Sequence, residues 1–167
     1  VTYDVLNDGF GQGALYTVVN QAENLPTMYQ KFYVYKDMPY ALVQVELGSD
    51  NEISTNFMAP ISTSGENVVD IGTKTDARVL FVPFSNDGYT AYNPETLNGA
   101  HTSYFVTAIF DNNSRNSVIA GSVDHDTWKT GTSTWATADN GNINFFGAFA
   151  GINSKEFTYD FQPHGSI

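Results

Sequence analysis

The sequence predicts an all-β fold, a predominantly antiparallel β-sandwich with minimal helix, and three observations carry that expectation. Runs of β-branched and aromatic residues recur at short intervals, and clusters of Asn, Asp, Gly and Ser separate them. No window of a dozen residues holds an apolar period of 3.6, which argues against amphipathic helix. The gaps between runs are hairpin-length, too short for the crossover that a parallel pair requires.

The elements follow in order. Val1-Thr2-Tyr3-Asp4-Val5 reads as a strand, with neither the basic nor the apolar region of a secretory leader, and Asn7-Asp8-Gly9 turns it. Residues 13–19 form the next run. In residues 29–36, Gln30, Phe32 and Val34 share one face while Lys31, Tyr33 and Tyr35 share the other. Asp37-Met38-Pro39 turns the chain into residues 40–47, where Ala41, Val43, Val45 and Leu47 form the apolar side; this is the clearest hairpin. Further strands are expected at 52–58, 67–71, 77–84, 103–110, 116–124, 133–138, 143–149 and 155–160, divided by turn signals at 49–51, 85–88, 111–114 and 139–142. No repeat, low-complexity tract or linker divides residues 1–167, a length suited to a single domain. The final Gln162-Pro163-His164-Gly165-Ser166-Ile167 leaves the last expected strand as though heading into another segment.

Charge and composition exclude several classes of function. Eighteen acidic residues against seven basic ones give a net charge of −11. Nucleic-acid binding needs a positive footprint to release counterions, and an anionic membrane surface would be repelled in the same way. The apolar runs fall far short of the roughly 18 residues of a membrane-spanning helix, so no membrane insertion is expected. With no cysteine, there is no disulfide framework, thiolate metal site or thiol nucleophile. Neutral ligands, cations and partner proteins stay compatible. The aromatic content of 14%, set among Asn- and Asp-rich loops, suits a sandwich core first and sugar binding second.

Two segments concentrate polar chemistry. In Gly121-Ser122-Val123-Asp124-His125-Asp126-Thr127-Trp128-Lys129, a strand continuing past 124 would point Asp124 and Asp126 the same way and His125 the other. Paired carboxylates can hydrolyse glycosides when about 5–5.5 Å apart, but neighbours on one strand flank a sugar poorly. The plainer reading is a strand end whose acids cap a turn and pair with Lys129 or Arg115. One His between two Asp is too small a ligand set for zinc, so no metal is assigned. In the second segment, Phe81-Val82-Pro83-Phe84 delivers the loop Ser85-Asn86-Asp87-Gly88-Tyr89, with Tyr92 close behind. Asn86 and Asp87 can exchange hydrogen bonds with hydroxyls while Tyr89 or Tyr92 covers a ring face, although a Gly-bearing turn between two strands explains the same residues. The acidic stretch from Asp111 lacks the Gly and terminal Glu of a helical-hand calcium loop, and Asp4 to Asp8 does not fit one either. Asn112-Asn113-Ser114 matches a glycosylation acceptor, relevant only in a eukaryotic secretory host. No Gly-x-Ser-x-Gly elbow accompanies His101, His125 or His164, and no dinucleotide fingerprint stands between a strand and a helix.

Three segments in order, RVLFVPFSNDGY at 78–89, TSYFVTAIFD at 102–111 and GSVDHDTWKTG at 121–131, resemble the N-terminal β-domain of α-galactosidase-like glycoside hydrolases, the melibiase-like subgroup of family 36. The resemblance runs from about residue 28 onward. It implies a large sandwich similar to galactose mutarotase, standing before a catalytic (β/α)-barrel in the same polypeptide. The family's nucleophile and acid are Asp residues of the barrel, so this chain has no positions to carry them and no catalytic residue is assigned. What the resemblance carries over is peripheral: Asn86, Asp87 and Trp128 would lie at the domain seam beside a galactoside pocket. It further implies a periplasmic, extracellular or cell-surface location, and no cofactor. Three functions are thereby set against one another: a non-catalytic accessory domain of such an enzyme, an autonomous carbohydrate-binding module, and a free-standing mutarotase-type enzyme. The last would draw on His101 or His125 with Asp124 or Glu46.

Overall fold

The computed structural model describes residues 1–84, 92–124, 129–137 and 141–151. Strand makes up 65% of these and none of them is helical, as the alternating pattern predicts. Among the described residues twelve strands form three four-stranded antiparallel sheets.

The first sheet is a meander of β1 (Thr2–Asp8), β2 (Gly11–Asn20), β3 (Thr27–Tyr35) and β4 (Ala41–Gly48) in that order. Its first hairpin turns on Gly9 and Phe10, and the Phe10 amide donates to Asp8 Oδ1 at 2.9 Å. In the predicted 29–47 hairpin Phe32 stands opposite Val43 and Tyr33 opposite Leu42. Period-2 alternation dictates that register, because a one-residue slip would turn Ala41, Val43, Val45 and Leu47 to the wrong face. Only Tyr35 and Val45 of this sheet are fully buried. The Tyr35 hydroxyl donates to Asp8 at 3.0 Å, and burial, then that bond, raise its pKa above the ordinary tyrosine value. Gln30 Nε2 donates to the Pro60 carbonyl at 2.6 Å and ties this sheet to the next.

The sandwich proper is built from the other two sheets. One has the order β5-β12-β11-β8, with β5 (Phe57–Val69), β12 (Ile143–Gly151), β11 (Thr130–Ala136) and β8 (Gly99–Tyr104). The other has the order β10-β9-β6-β7, with β10 (Ser117–Gly121), β9 (Val106–Asp111), β6 (Ala77–Phe81) and β7 (Asn93–Thr96). Between them Val79 and Ile109 meet Ala136, Ile143 and Phe146, with Ile71 and Leu97 closing the cluster. Ile109 and Ile143 are wholly removed from solvent, each worth about 1.5–3 kcal/mol of burial.

Several boundaries differ from expectation, among them the strand expected at 77–84, which stops at Phe81, and the one expected at 133–138, which spans Thr130–Ala136. The run expected as one strand at 103–110 is two, because Phe105 at φ 65° bends the chain out of one sheet and into the other. The runs expected at 52–58 and 67–71 fuse into β5, which follows β12 along its length and absorbs irregularities opposite Ile143/Phe145 and Ala148/Ala150. Pro60 lies within the second of these, where a missing N–H is tolerated. Strand β7 escapes the sequence reading because Asn93-Pro94-Glu95-Thr96 looks like a turn, yet proline is acceptable on an edge strand. The strand expected at 116–124 stops at Gly121. The strand expected at 155–160 lies outside the described residues.

Candidate functional site

The described ends of both polar segments singled out from the sequence meet at one corner, and Phe105 is its hinge. On the first segment, the Ser103 hydroxyl accepts the Val82 amide at 2.9 Å and donates to the Val106 carbonyl at 3.0 Å. The Tyr104 amide donates to the Val82 carbonyl at 3.0 Å. The second segment is held from the other side. Ser122 N–H donates to the Phe105 carbonyl at 3.0 Å, and the Phe105 amide donates to the Thr130 carbonyl at 2.9 Å. Ser122 and Thr130 hydroxyls share a 2.6 Å bond.

Aromatic rings fill the space between the two exits. The Lys129 ammonium lies 4.5 Å from the Phe84 ring centre, 4.2 Å from that of Phe105 and 5.6 Å from that of Tyr104. Phe84 meets Tyr104 edge-on at 5.0 Å, Tyr104 meets Phe149 edge-on at 6.3 Å, and Phe149 stacks on Phe57 at 5.6 Å. The result is an aromatic wall carrying one cation. Ring faces of this kind can pack against the C–H face of a sugar, and a loop amide or carboxylate can meet its hydroxyls.

The predicted site residues fall on both sides of the described boundary. Tyr92 is 57% exposed just before β7, and Asp124 is exposed beyond the end of β10. Asn86, Asp87, Tyr89, Asp126, Trp128 and His125 lie outside the described residues. Because β10 ends at Gly121, the continuous strand that would have aligned Asp124 with Asp126 does not extend to either. Lys129, Phe84, Tyr104 and Phe105 hold the corner together, and sequence reasoning passed over their mutual contact. Their signal was faint: a Phe directly after Val82-Pro83, and a Lys three residues past Asp126.

Two of the residues considered for a free-standing enzyme, His101 and Glu46, have other engagements. Nδ1 of His101 lies 3.1 Å from the Glu95 carboxylate and Nε2 lies 2.7 Å from the Asn98 carbonyl. Glu46, on the first sheet, accepts from Lys31 at 2.6 Å. Among the described residues no group of three or more His, Asp or Glu is placed to hold a metal ion. Asp111, at the start of the stretch tested for calcium, spends its carboxylate within the protein. Oδ1 accepts the Ser114 amide at 2.7 Å and the Asn113 amide at 3.1 Å, while Oδ2 accepts Asp76 at 2.6 Å and Thr75 at 2.8 Å. These amides, Ser114 first and Asp76 next, hold its pKa well below the usual carboxylate range against the opposing effect of burial. It is a staple between the approach to β6 and the turn after β9. No family model, curated protein or solved structure matches this chain.

Proposed function

We propose that this chain is a non-catalytic accessory β-domain of a carbohydrate-active enzyme of α-galactosidase-like type, which packs on a catalytic barrel and lends loop residues to its sugar pocket. The observation that supports it most is the corner at Phe105. The three segments that carry the family resemblance, 78–89, 102–111 and 121–131, are the ones that meet there, with Lys129 set against Phe84. A resemblance scattered over unrelated parts of a fold would give no such convergence.

In this reading the loops beyond Phe84 and before Lys129 face the sugar, Asn86 and Asp87 meet its hydroxyls, and Tyr89, Tyr92 or Trp128 covers its ring. Asp124 and Asp126 contribute polar contacts and no chemistry. The location proposed with it is the periplasm or cell surface, where such substrates are met. Two measurements test the proposal. The chain alone is expected to leave 4-nitrophenyl α-galactoside intact and to show no mutarotation of galactose; turnover in either assay overturns it. The coding sequence around these residues is expected to carry a barrel in the same reading frame, and a frame without one overturns the accessory role.

A further inference from the structure

Two neighbouring rows on the outward face of the β5-β12-β11-β8 sheet combine aromatic rings with hydroxyls. Trp135 sits on β11 between Thr134 and Ala136, which are 3% and 1% exposed and point into the core, while Trp135 itself is 45% exposed. Antiparallel register places Ala100 on one side of it and Phe145 on the other, with Ser64 beyond. The adjacent outward row, two residues or about 7 Å along the strands, is Thr102, Ser133, Gly147 and Ser62. The Thr102 and Ser133 hydroxyls lie 3.2 Å apart and share a hydrogen bond. A Cβ at Gly147 would come 3.1 Å from Phe145 Cζ, so the bare glycine is what lets that ring lean along the sheet.

We propose that this face binds a neutral oligosaccharide. Trp135 and Phe145 supply the apolar surface on which a pyranose ring packs, and Thr102, Ser133 and Ser62 exchange hydrogen bonds with its hydroxyls. The two rows hold no charged residue and no aliphatic side chain larger than alanine, in a chain with 25 acidic and basic residues. An anionic ligand would find no cation here. A protein partner fits less well than a sugar, because the energetic centres of protein interfaces favour Trp, Tyr and Arg and are poor in Ser and Thr. Here Ser and Thr fill the spaces around two rings, the pairing of hydroxyls with ring faces that a sugar requires. The inference goes beyond the accessory role, since it rests on sheet residues outside both loops and stands with or without a barrel.

Native electrophoresis of the full chain through gels containing galactomannan, xyloglucan, arabinoxylan or mixed-linkage β-glucan tests it. Retardation by at least one of the four is expected. Trp135→Ala should weaken it by about tenfold or more, the scale of one lost ring contact. Thr102→Val combined with Ser133→Ala should weaken it severalfold, and Tyr3→Ala, on the first sheet, should leave it unchanged. Trp135 is exposed, so its variant should melt as the parent does, and thermal unfolding checks this. Mobility unaffected by all four polysaccharides overturns the proposal, as does retardation that survives Trp135→Ala. Loss with Phe84→Ala alone moves the sugar to the loop corner and overturns it too. Self-association that Trp135→Ala abolishes, without retardation, makes the face an interface between copies and also overturns it.

Discussion

Lys129 stands with its ammonium 4.5 Å above the ring centre of Phe84, 45 residues earlier in the chain. Phe105 and Tyr104 complete the aromatic surround at 4.2 and 5.6 Å. A cation in such a surround is attracted by the ring quadrupoles, at about 0.5–1 kcal/mol where solvent has access. Lys129→Met keeps the apolar stem and removes the charge, so a loss of about that size is expected in urea unfolding. In a double-mutant cycle with Phe84→Leu, the two losses should combine to less than their sum; additivity would show that the rings and the cation do not interact.

Asp111 is the most densely bonded side chain described, and its low pKa sets a pH dependence. A carboxylate depressed in the folded state contributes stability above its unfolded pKa of about 3.9, and that contribution fades as pH falls toward the folded value. Stability should therefore decline below about pH 4. Asp111→Asn should unfold more readily at pH 7 and show a shallower acid limb. An amide nitrogen must face either the Ser114 and Asn113 amides or the Thr75 and Asp76 amides, donor against donor. Thermal melts of both proteins from pH 7 to pH 3 check the prediction; parallel curves would refute it.

Thr134 buries its hydroxyl in the sandwich core with no hydrogen-bond partner among the described residues. An unpaired buried hydroxyl carries a desolvation cost of about 1–3 kcal/mol, and valine has nearly the same shape without it. Thr134→Val is expected to stabilise the fold by about 1 kcal/mol. A decrease in the urea midpoint would mean that the hydroxyl has a partner in solution.

Gly131 is close to two neighbours at once. A Cβ there would lie 2.7 Å from Phe149 Cζ and 2.8 Å from the Ser103 carbonyl oxygen. The ring could swing away, but the backbone oxygen belongs to the paired strand. Gly131→Ala should cost about 1–3 kcal/mol and disturb the Phe149 stack on Phe57. Chemical denaturation gives the first quantity, and the near-ultraviolet dichroism of the aromatic cluster gives the second. An unchanged midpoint would show that the two strands separate without cost.

The fold class was legible because alternation is a local property. Tyr33 and Val34 differ in environment simply by lying on opposite sides of a pleat, and Val43 follows the same rule on the neighbouring strand. The hairpins were legible for a related reason, since Asp8-Gly9 and Asp37 are turn residues that act within a few positions. Phe105 shows where this stops. Nothing in its neighbours announces a positive φ, and an aromatic residue there is uncommon. What holds it is the Thr130 carbonyl and the Ser122 amide, 25 and 17 residues away in sequence.

The candidate sites divide along the same line. Residue types suited to sugars around Asn86 and Trp128 could be read from order alone, as could the absence of thiol chemistry and of a basic footprint. The meeting of Phe84 with Lys129, the burial of Asp111 beneath four amides, and the alignment of Trp135 with Phe145 and Ser133 could not. By itself the sequence determined which residues alternate, where turns fall and which chemistries are missing, because those depend on side chains a few positions apart. Tertiary structure alone decided which distant side chains share a corner or a face, because register between strands and the bend at Phe105 arise only when the whole core closes.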